Sequence, residues 1–138
     1  MFDETEKYPN QGHFFFKKGN SLKDVSKDVP NLPGVYYIVR LARGRVDLVY
    51  IGQSGTINQK GVFKKPLLKD GINIQQDGTP RQAFFDNKMI TENIDGLDIY
   101  WFVTVDEHNN DLPSYVEALL MQRYYEVNGN LPIWNVGF

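Results

Sequence analysis

Residues 33–39 read PGVYYIV and residues 48–55 read LVYIGQSG. Both segments are rich in valine, isoleucine and tyrosine, which favour β-strands. The sequence between them contains Ala-Arg-Gly-Arg, a composition typical of a turn. The pattern therefore predicts a β-hairpin with strands over residues 34–41 and 46–51.

The rest of the chain predicts one more strand and several helices. Glycine and proline interrupt residues 56–80, where only a short helix around residues 63–70 is expected. The other expected elements are a helix from Pro80 to about Ile90, a strand over residues 97–105 and a helix over residues 114–127. The order β-β-α-β-α predicts an α/β (α+β) fold with a small three-stranded sheet, mixed or antiparallel, flanked by helices.

The start of the chain is expected to lie outside this unit. We predict that residues 1–32 form an N-terminal extension packed on the domain made by residues 33–138. The Phe-Phe-Phe run at residues 14–16 would add either an edge strand or a packing arm. Ser21 is expected to cap a short helix that runs through Asp28.

The composition limits the class of protein. The 138 residues suffice for one domain with a core, and 41% of them are hydrophobic. No cysteine is present, which excludes disulfides and cysteine-ligated zinc sites. The acidic, polar amino terminus is unlike a signal peptide, and no apolar run reaches the roughly 18 residues of a membrane helix. The cytoplasm is the expected location.

The charged residues give a mixed indication of nucleic-acid binding. A net charge of −2 argues against a non-specific binder. The stretch over residues 60–69 nevertheless contains no acid and four lysines: Lys60, Lys64, Lys65 and Lys69. These side chains form either a solvated surface or a local basic face that contacts nucleic acid.

A carboxylate lies on the apolar face of the last predicted helix. At about 100° per residue, Glu117 falls on the same arc as Leu120, Met121 and Tyr124. A charge there is costly unless it is paired or holds a metal ion. Alternatively, Ser114 and Glu117 fit the S-x-x-E pattern of a capping box, in which the glutamate bonds the backbone of residue 114. Spacing alone leaves both interpretations open.

The two tyrosine segments of the hairpin resemble the signature of the GIY-YIG endonuclease family. That signature is a Gly-x-Tyr strand end followed, after a short interval, by Tyr-x-Gly. Here GVY ends at Tyr36 and YIG begins at Tyr50. Tyrosines in strands usually serve packing alone, but both motifs in this order on adjacent strands indicate the family. The resemblance covers most of residues 33–137.

The resemblance implies a metal-dependent DNA endonuclease that hydrolyses phosphodiester bonds. Family members carry a helix glutamate that binds one divalent cation and a Pro-x-Asn-like ending that orders the site. Glu117 and Asn135 match these two positions. The cation is expected to be Mg²⁺ or Mn²⁺, since hard cations favour carboxylate and water ligands. Tyr36 would orient or deprotonate the attacking water, and Tyr50 would assist by hydrogen bonding.

The resemblance also implies a cation that neutralises the scissile phosphate. The family places an arginine on the helix after Tyr-x-Gly, but Gly71 occupies the matching position here. Two candidates remain, namely Lys60, ten residues after Tyr50, and Arg81, which opens the next helix. The expected nucleic-acid-binding residues are Lys60, Lys64, Lys65, Lys69 and Arg81.

The glycine at position 71 leaves a second function open. The chain would then be a catalytically degenerate GIY-YIG-fold module that binds nucleic acid or another protein, since fold does not fix function. DNA is the expected partner, with no membrane and no disulfide-linked partner. The oligomeric state is left open, and a homodimer is one arrangement that would cut both strands.

Overall fold

The computed structural model describes residues 1–138, with a short 3-10 turn at Asp3–Thr5 before the first strand. In chain order the elements are β1 (Gln11–Phe16), α1 (Leu22–Val25), β2 (Gly34–Ala42), β3 (Arg45–Ser54), α2 (Leu68–Asn73), β4 (Gln75–Gln76), β5 (Thr79–Pro80), α3 (Arg81–Thr91), β6 (Gly96–Val103) and α4 (Pro113–Asn128). The α+β class and the predicted hairpin are therefore confirmed. None of the helices combines the length and the apolarity needed to cross a bilayer.

The main sheet has four antiparallel strands in the order β1-β6-β2-β3. The prediction of three strands is wrong, because the segment that contains residues 14–16 pairs with β6 along its whole length. Without β1, the backbone groups of β6 on that side would lack partners, and an open apolar strand edge is unfavourable. The phenylalanine run is thus an edge strand and not a packing arm.

Two apolar cores lie on opposite faces of this sheet. Helices α1, α2 and α3 cover one face, where the core includes Tyr36 and Phe85. Helix α4 covers the other face, where the core includes Tyr37 and Val116. Tyr36 and Tyr37 separate in this way because successive side chains of a strand point to opposite faces. The N-terminal extension contributes buried side chains to both cores: Phe2, Tyr8, Phe16, Leu22 and Val29.

A short ribbon of β4 and β5 leads into α3. The turn between its strands is Asp77-Gly78, and both residues have positive φ, at 51° and 76°. Asp-Gly is a preferred sequence for such a turn. The short helix expected around residues 63–70 instead begins at Leu68, after Pro66. The ribbon fixes the point at which α3 starts, and therefore the position of Arg81.

The end of the chain returns to the open edge of β3. Helix α4 ends at Asn128, and Gly129 adopts φ +74° there. The backbone N–H of Trp134 donates to the carbonyl of Val49 at 2.8 Å. The Asn135 side chain bonds both the N–H and the C=O of Ile51 at 3.0 Å. The last residues therefore replace a neighbouring strand beside this part of β3.

Candidate active site

The two motif tyrosines lie side by side on one face of the sheet. Tyr36 belongs to β2 and Tyr50 to β3, and their ring centres are 6.1 Å apart. The register of the hairpin shifts between Ile38 and Val39, so β3 has an extra residue next to Tyr50. A bulge of this kind redirects the side chains around it.

Glycine at position 52 is what allows this placement of the tyrosines. Gly52 is the cross-strand partner of Tyr36. A Cβ atom on Gly52 would lie 2.8 Å from the Tyr36 hydroxyl oxygen and 2.8 Å from a ring carbon of Tyr50. Both separations are shorter than a carbon atom tolerates, so the glycine of the YIG motif has a steric role.

Arg81, at the start of α3, is the cation that meets the tyrosine pair. Its Nη2 donates a 2.8 Å hydrogen bond to the hydroxyl oxygen of Tyr36. The guanidinium carbon lies 5.5 Å from the ring centre of Tyr36 and 5.3 Å from that of Tyr50. Attraction between a cation and an aromatic ring is appreciable at this range.

The rest of the Arg81 guanidinium has no hydrogen-bond partner. The residue is only 2% exposed, yet its Nε and Nη1 are buried and unbonded. Buried polar atoms nearly always have partners, so an unbonded pair on one charged group requires an explanation. Unbonded N–H donors on a buried guanidinium suit the acceptor oxygens of an anion.

Gly71 lies where α2 packs directly against β3. A Cβ atom at this position would overlap the hydroxyl oxygen of Ser54. An arginine therefore does not fit at position 71 while α2 keeps its place on the sheet. The cation that contacts Tyr36 is Arg81, on a different helix.

None of the four lysines of residues 60–69 forms a side-chain hydrogen bond with the tyrosine pair, whose cationic partner is Arg81. Lys60 lies in an exposed turn, where its backbone N–H donates to Asn58 Oδ1 at 2.9 Å. Lys64 and Lys65 are exposed in the following loop, and Lys69 is half-buried on α2. Their ammonium groups make no ion pair. No hydrogen bond or ion pair joins Lys60 to Tyr36, and that contact belongs to Arg81.

Glu117 lies on the inward-facing side of α4. The capping-box interpretation is wrong, because α4 begins at Pro113 after Leu112 and no side chain caps it. The Glu117 carboxylate forms neither a hydrogen bond nor an ion pair. Burial raises the pKa of this carboxyl from its ordinary 4.5 to about 7. The neighbouring residues Val116, Leu120 and Met121 are buried, as the helical spacing predicts.

Electrostatic effects connect Glu117 to the tyrosine pair. Burial is the largest factor that raises the pKa of the Tyr50 hydroxyl above its ordinary value. Tyr36 and the negative charge of Glu117 raise that pKa further, whereas the positive charge of Arg81 lowers it. Tyr50 therefore lies within range of both charged groups, although Arg81 and Glu117 belong to helices on opposite faces of the sheet.

The residues present are compatible with one hard divalent cation. The chain contains no cluster of three or more His, Asp or Glu side chains suited to a metal ion. Magnesium, however, keeps several waters and binds through one or two carboxylates together with substrate phosphates. The unpaired, half-buried carboxylate of Glu117 fits that kind of site, because a cation would remove the cost of ionising it.

One residue next to the site was not predicted from the sequence. Gln76 lies in the ribbon before Arg81 and is 5% exposed, yet neither Oε1 nor Nε2 has a hydrogen-bond partner. The carbonyl of the preceding Gln75 accepts a long 3.4 Å bond from Arg81 Nη2. A two-residue strand is too short to show a periodic pattern, so the sequence gives no sign that Gln76 is buried.

Comparisons with protein-family models, curated proteins and solved structures found nothing that matches this chain. The function must therefore be inferred from the site itself. Its chemical components are a pair of phenols, a buried guanidinium with two free donors and an unpaired carboxylate.

Proposed function

We propose that this protein is a metal-dependent DNA endonuclease that hydrolyses phosphodiester bonds, as its resemblance to the GIY-YIG family implies. The observation that carries the proposal is the 2.8 Å hydrogen bond from buried Arg81 to the Tyr36 hydroxyl. The bond places a positive charge on the tyrosine of the first motif. The resemblance leads one to expect that charge at position 71, but the residue there is glycine.

Tyr36 acts on the attacking water in this proposal. The Tyr36 hydroxyl first gives its own proton to solvent, and the resulting phenolate oxygen takes a proton from the water as the water oxygen bonds to phosphorus. The bond from phosphorus to the leaving oxygen then breaks, and that oxygen takes a proton from solvent. A phenol has an ordinary pKa of about 10, so a base role requires positive charge nearby. The Arg81 guanidinium is close enough to provide it.

Arg81 has a second task in this proposal. The trigonal-bipyramidal transition state carries more negative charge on the phosphoryl oxygens than the substrate does. Guanidinium donors aimed at these oxygens stabilise that charge selectively. The unbonded Nε and Nη1 of Arg81 are the donors available for this purpose.

Glu117 holds the divalent cation. When bound, Mg²⁺ or Mn²⁺ would polarise a phosphoryl oxygen and stabilise the leaving alkoxide. Asn135 keeps β3 in place between Tyr50 and Gly52 by bonding both backbone groups of Ile51. Asn135 is therefore a positioning residue, and Glu117 is the residue that would hold the metal ion.

A plasmid assay tests the proposal. Supercoiled DNA is incubated with the protein in Mg²⁺, in Mn²⁺ or in EDTA. We expect nicking in either metal and none in EDTA, with a loss of about 100-fold or more for Tyr36→Phe. Glu117→Gln should lose metal-dependent nicking as well. Tyr125→Phe, at an exposed position on α4, is the matched control. Unchanged nicking by Tyr36→Phe would remove the proposed base.

A binding module without cleavage is the second candidate. It is favoured by the burial of Arg81, which is only 2% exposed and reaches a phosphate only if the groups around it move. In that case the protein would bind DNA with steep salt dependence and cut it in no metal. Binding to a protein partner without salt dependence would instead indicate an interaction domain.

A further inference from the structure

We infer that a cavity beside the β2–β3 turn binds a backbone phosphate of the DNA that flanks the cleaved bond. This inference rests on the proposed function and adds a second contact to it. The cavity has a volume of about 430 Å³. Its charged lining consists of Arg40, Arg43, Arg45, Asp47 and Glu92.

The Arg40 wall of the cavity lies on the same side of the sheet as the tyrosine pair, whereas Leu48 and Tyr124, which pack in the core on the α4 face, line its other wall. Arg40 and Tyr36 are four residues apart on β2, so their side chains share a face at a separation of about 13 Å. Helix α3 spans the same interval, because it begins at Arg81 beside Tyr36 and its C-cap is Glu92. A duplex advances about 3.4 Å per base pair, so roughly four base pairs would reach from one site to the other.

The cavity is locally positive although the chain as a whole carries −2. Arg40 is bound by Glu92 at 2.6 Å and by Asp47 at 3.3 Å. Arg45 is 3.7 Å from Asp47 and its side chain is 77% exposed. Arg43 makes no ion pair at all. Three arginines against two carboxylates leave one positive charge that is not neutralised.

The backbone at Arg43 is unfavourable for an arginine. Arg43 and Gly44 are the central residues of the β2–β3 turn, with φ of 53° and 72°. Positive φ at both positions favours Asn, Asp or Gly. The ribbon turn of the same protein has similar angles and uses Asp77-Gly78, as expected.

Arginine thus stands where the fold by itself prefers a different residue. A side chain held in a sparsely populated backbone region is a reason to infer a function for it. A structural role explains Arg40, whose partner Glu92 also accepts from the indole of Trp134 at 3.1 Å. That role does not extend to Arg43, which has no partner. An unpaired guanidinium at the rim of a positive cavity is suited to a phosphodiester.

The test is Arg43→Asn, which removes the charge and improves the fit to the turn. Binding of a fluorescent 20-base-pair duplex is followed by anisotropy in EDTA at several NaCl concentrations. We expect about 3- to 10-fold weaker binding and a log–log salt slope shallower by about one. The melting temperature should be unchanged or higher. Arg43→Lys, which keeps the charge, should recover the slope. Lys27→Asn removes an exposed cation that forms no ion pair and does not line the cavity, and it should change binding less.

The outcomes separate this inference from the proposed function. Wild-type affinity and slope in Arg43→Asn would overturn the phosphate contact, whatever the nicking assay gives. If the wild-type protein binds the duplex but cuts no plasmid in the presence of metal, the proposed function is contradicted. The comparison of Arg43→Asn with the wild type would still decide whether the cavity binds a phosphate. Wild-type protein that does not bind the duplex would overturn both.

Discussion

Glu117 was identified from the sequence by its position on one helix face, and its environment explains why that position is unusual. The neighbouring apolar side chains at 116, 120 and 121 are buried, so helical periodicity placed the carboxylate correctly. The sequence could not decide between metal ligand and cap. Pro113 argues only against the cap, because proline favours the first helical position and therefore puts Ser114 inside the helix.

The raised pKa of Glu117 predicts a specific pH dependence of stability. The folded protein holds this proton up to about pH 7, whereas the unfolded chain releases it near pH 4.5. Between these values the folded state binds more protons, so the free energy of unfolding falls as pH rises. Glu117→Gln should remove this fall. Its melting temperature should exceed that of the wild type at pH 8, with a smaller difference at pH 5.

Thermal melts of both proteins at the two pH values check this prediction. Adding Mg²⁺ at pH 8 should raise the melting temperature of the wild type and leave Glu117→Gln unchanged, because a ligand stabilises only a state that binds it. If the melting temperatures of the wild type and Glu117→Gln differ by the same amount at pH 5 and pH 8, the Glu117 carboxylate is not buried as described.

At the scale of elements, the sequence pattern predicts the hairpin, β6, α3 and α4, because each is long enough to show the periodicity of a strand or a helix. The ribbon of β4 and β5 did not, since two-residue strands have no period. Its Asp77-Gly78 turn was nevertheless a hairpin signal in the sequence. The position of Arg81 at the tyrosine pair depends on that ribbon, so contact between Arg81 and Tyr36 could not be derived from spacing.

The packing of α2 on β3 can be tested at Gly71. Gly71→Ala should destabilise the protein by about 1–3 kcal/mol, because its Cβ overlaps the hydroxyl of Ser54 and overpacking is costly. Urea denaturation measures the change. Combining Gly71→Ala with Ser54→Gly should recover part of the lost stability. Gly96→Ala is the control, because a Cβ there makes only ordinary contacts and should change the free energy of unfolding little. Full stability of Gly71→Ala would mean that α2 does not pack closely on β3.

At the scale of the whole molecule, the N-terminal segment is part of the fold. The sequence suggested an extension because residues 1–32 lie outside the resemblance, and the pairing of a distant strand cannot be read from local pattern. The segment supplies β1 and buried side chains in both cores. Each fully buried large apolar side chain contributes roughly 1.5–3 kcal/mol, and domains are stable by only about 5–15 kcal/mol in total.

Removing this segment should therefore unfold the protein. We expect residues 33–138 alone to lack a cooperative thermal transition, and circular dichroism with calorimetry checks this. Deletion of residues 136–138, which are exposed at the other end of the chain, is the control and should leave a normal transition. A cooperative melt of residues 33–138 near the wild-type melting temperature would show that the core between the sheet and α4 forms without Phe2 and Tyr8.

The central claim is that Tyr36 and Arg81 act as one unit in phosphodiester cleavage. The most direct measurement is the rate of plasmid nicking in Mg²⁺ by the wild type, Tyr36→Phe, Arg81→Gln and the double variant, each checked for a cooperative melt. Residues that act together lose their effects non-additively. The predicted result is a loss of about 100-fold or more in each single variant, with little further loss in the double variant. Losses that multiply in the double variant, or wild-type nicking by either single variant, would contradict the claim.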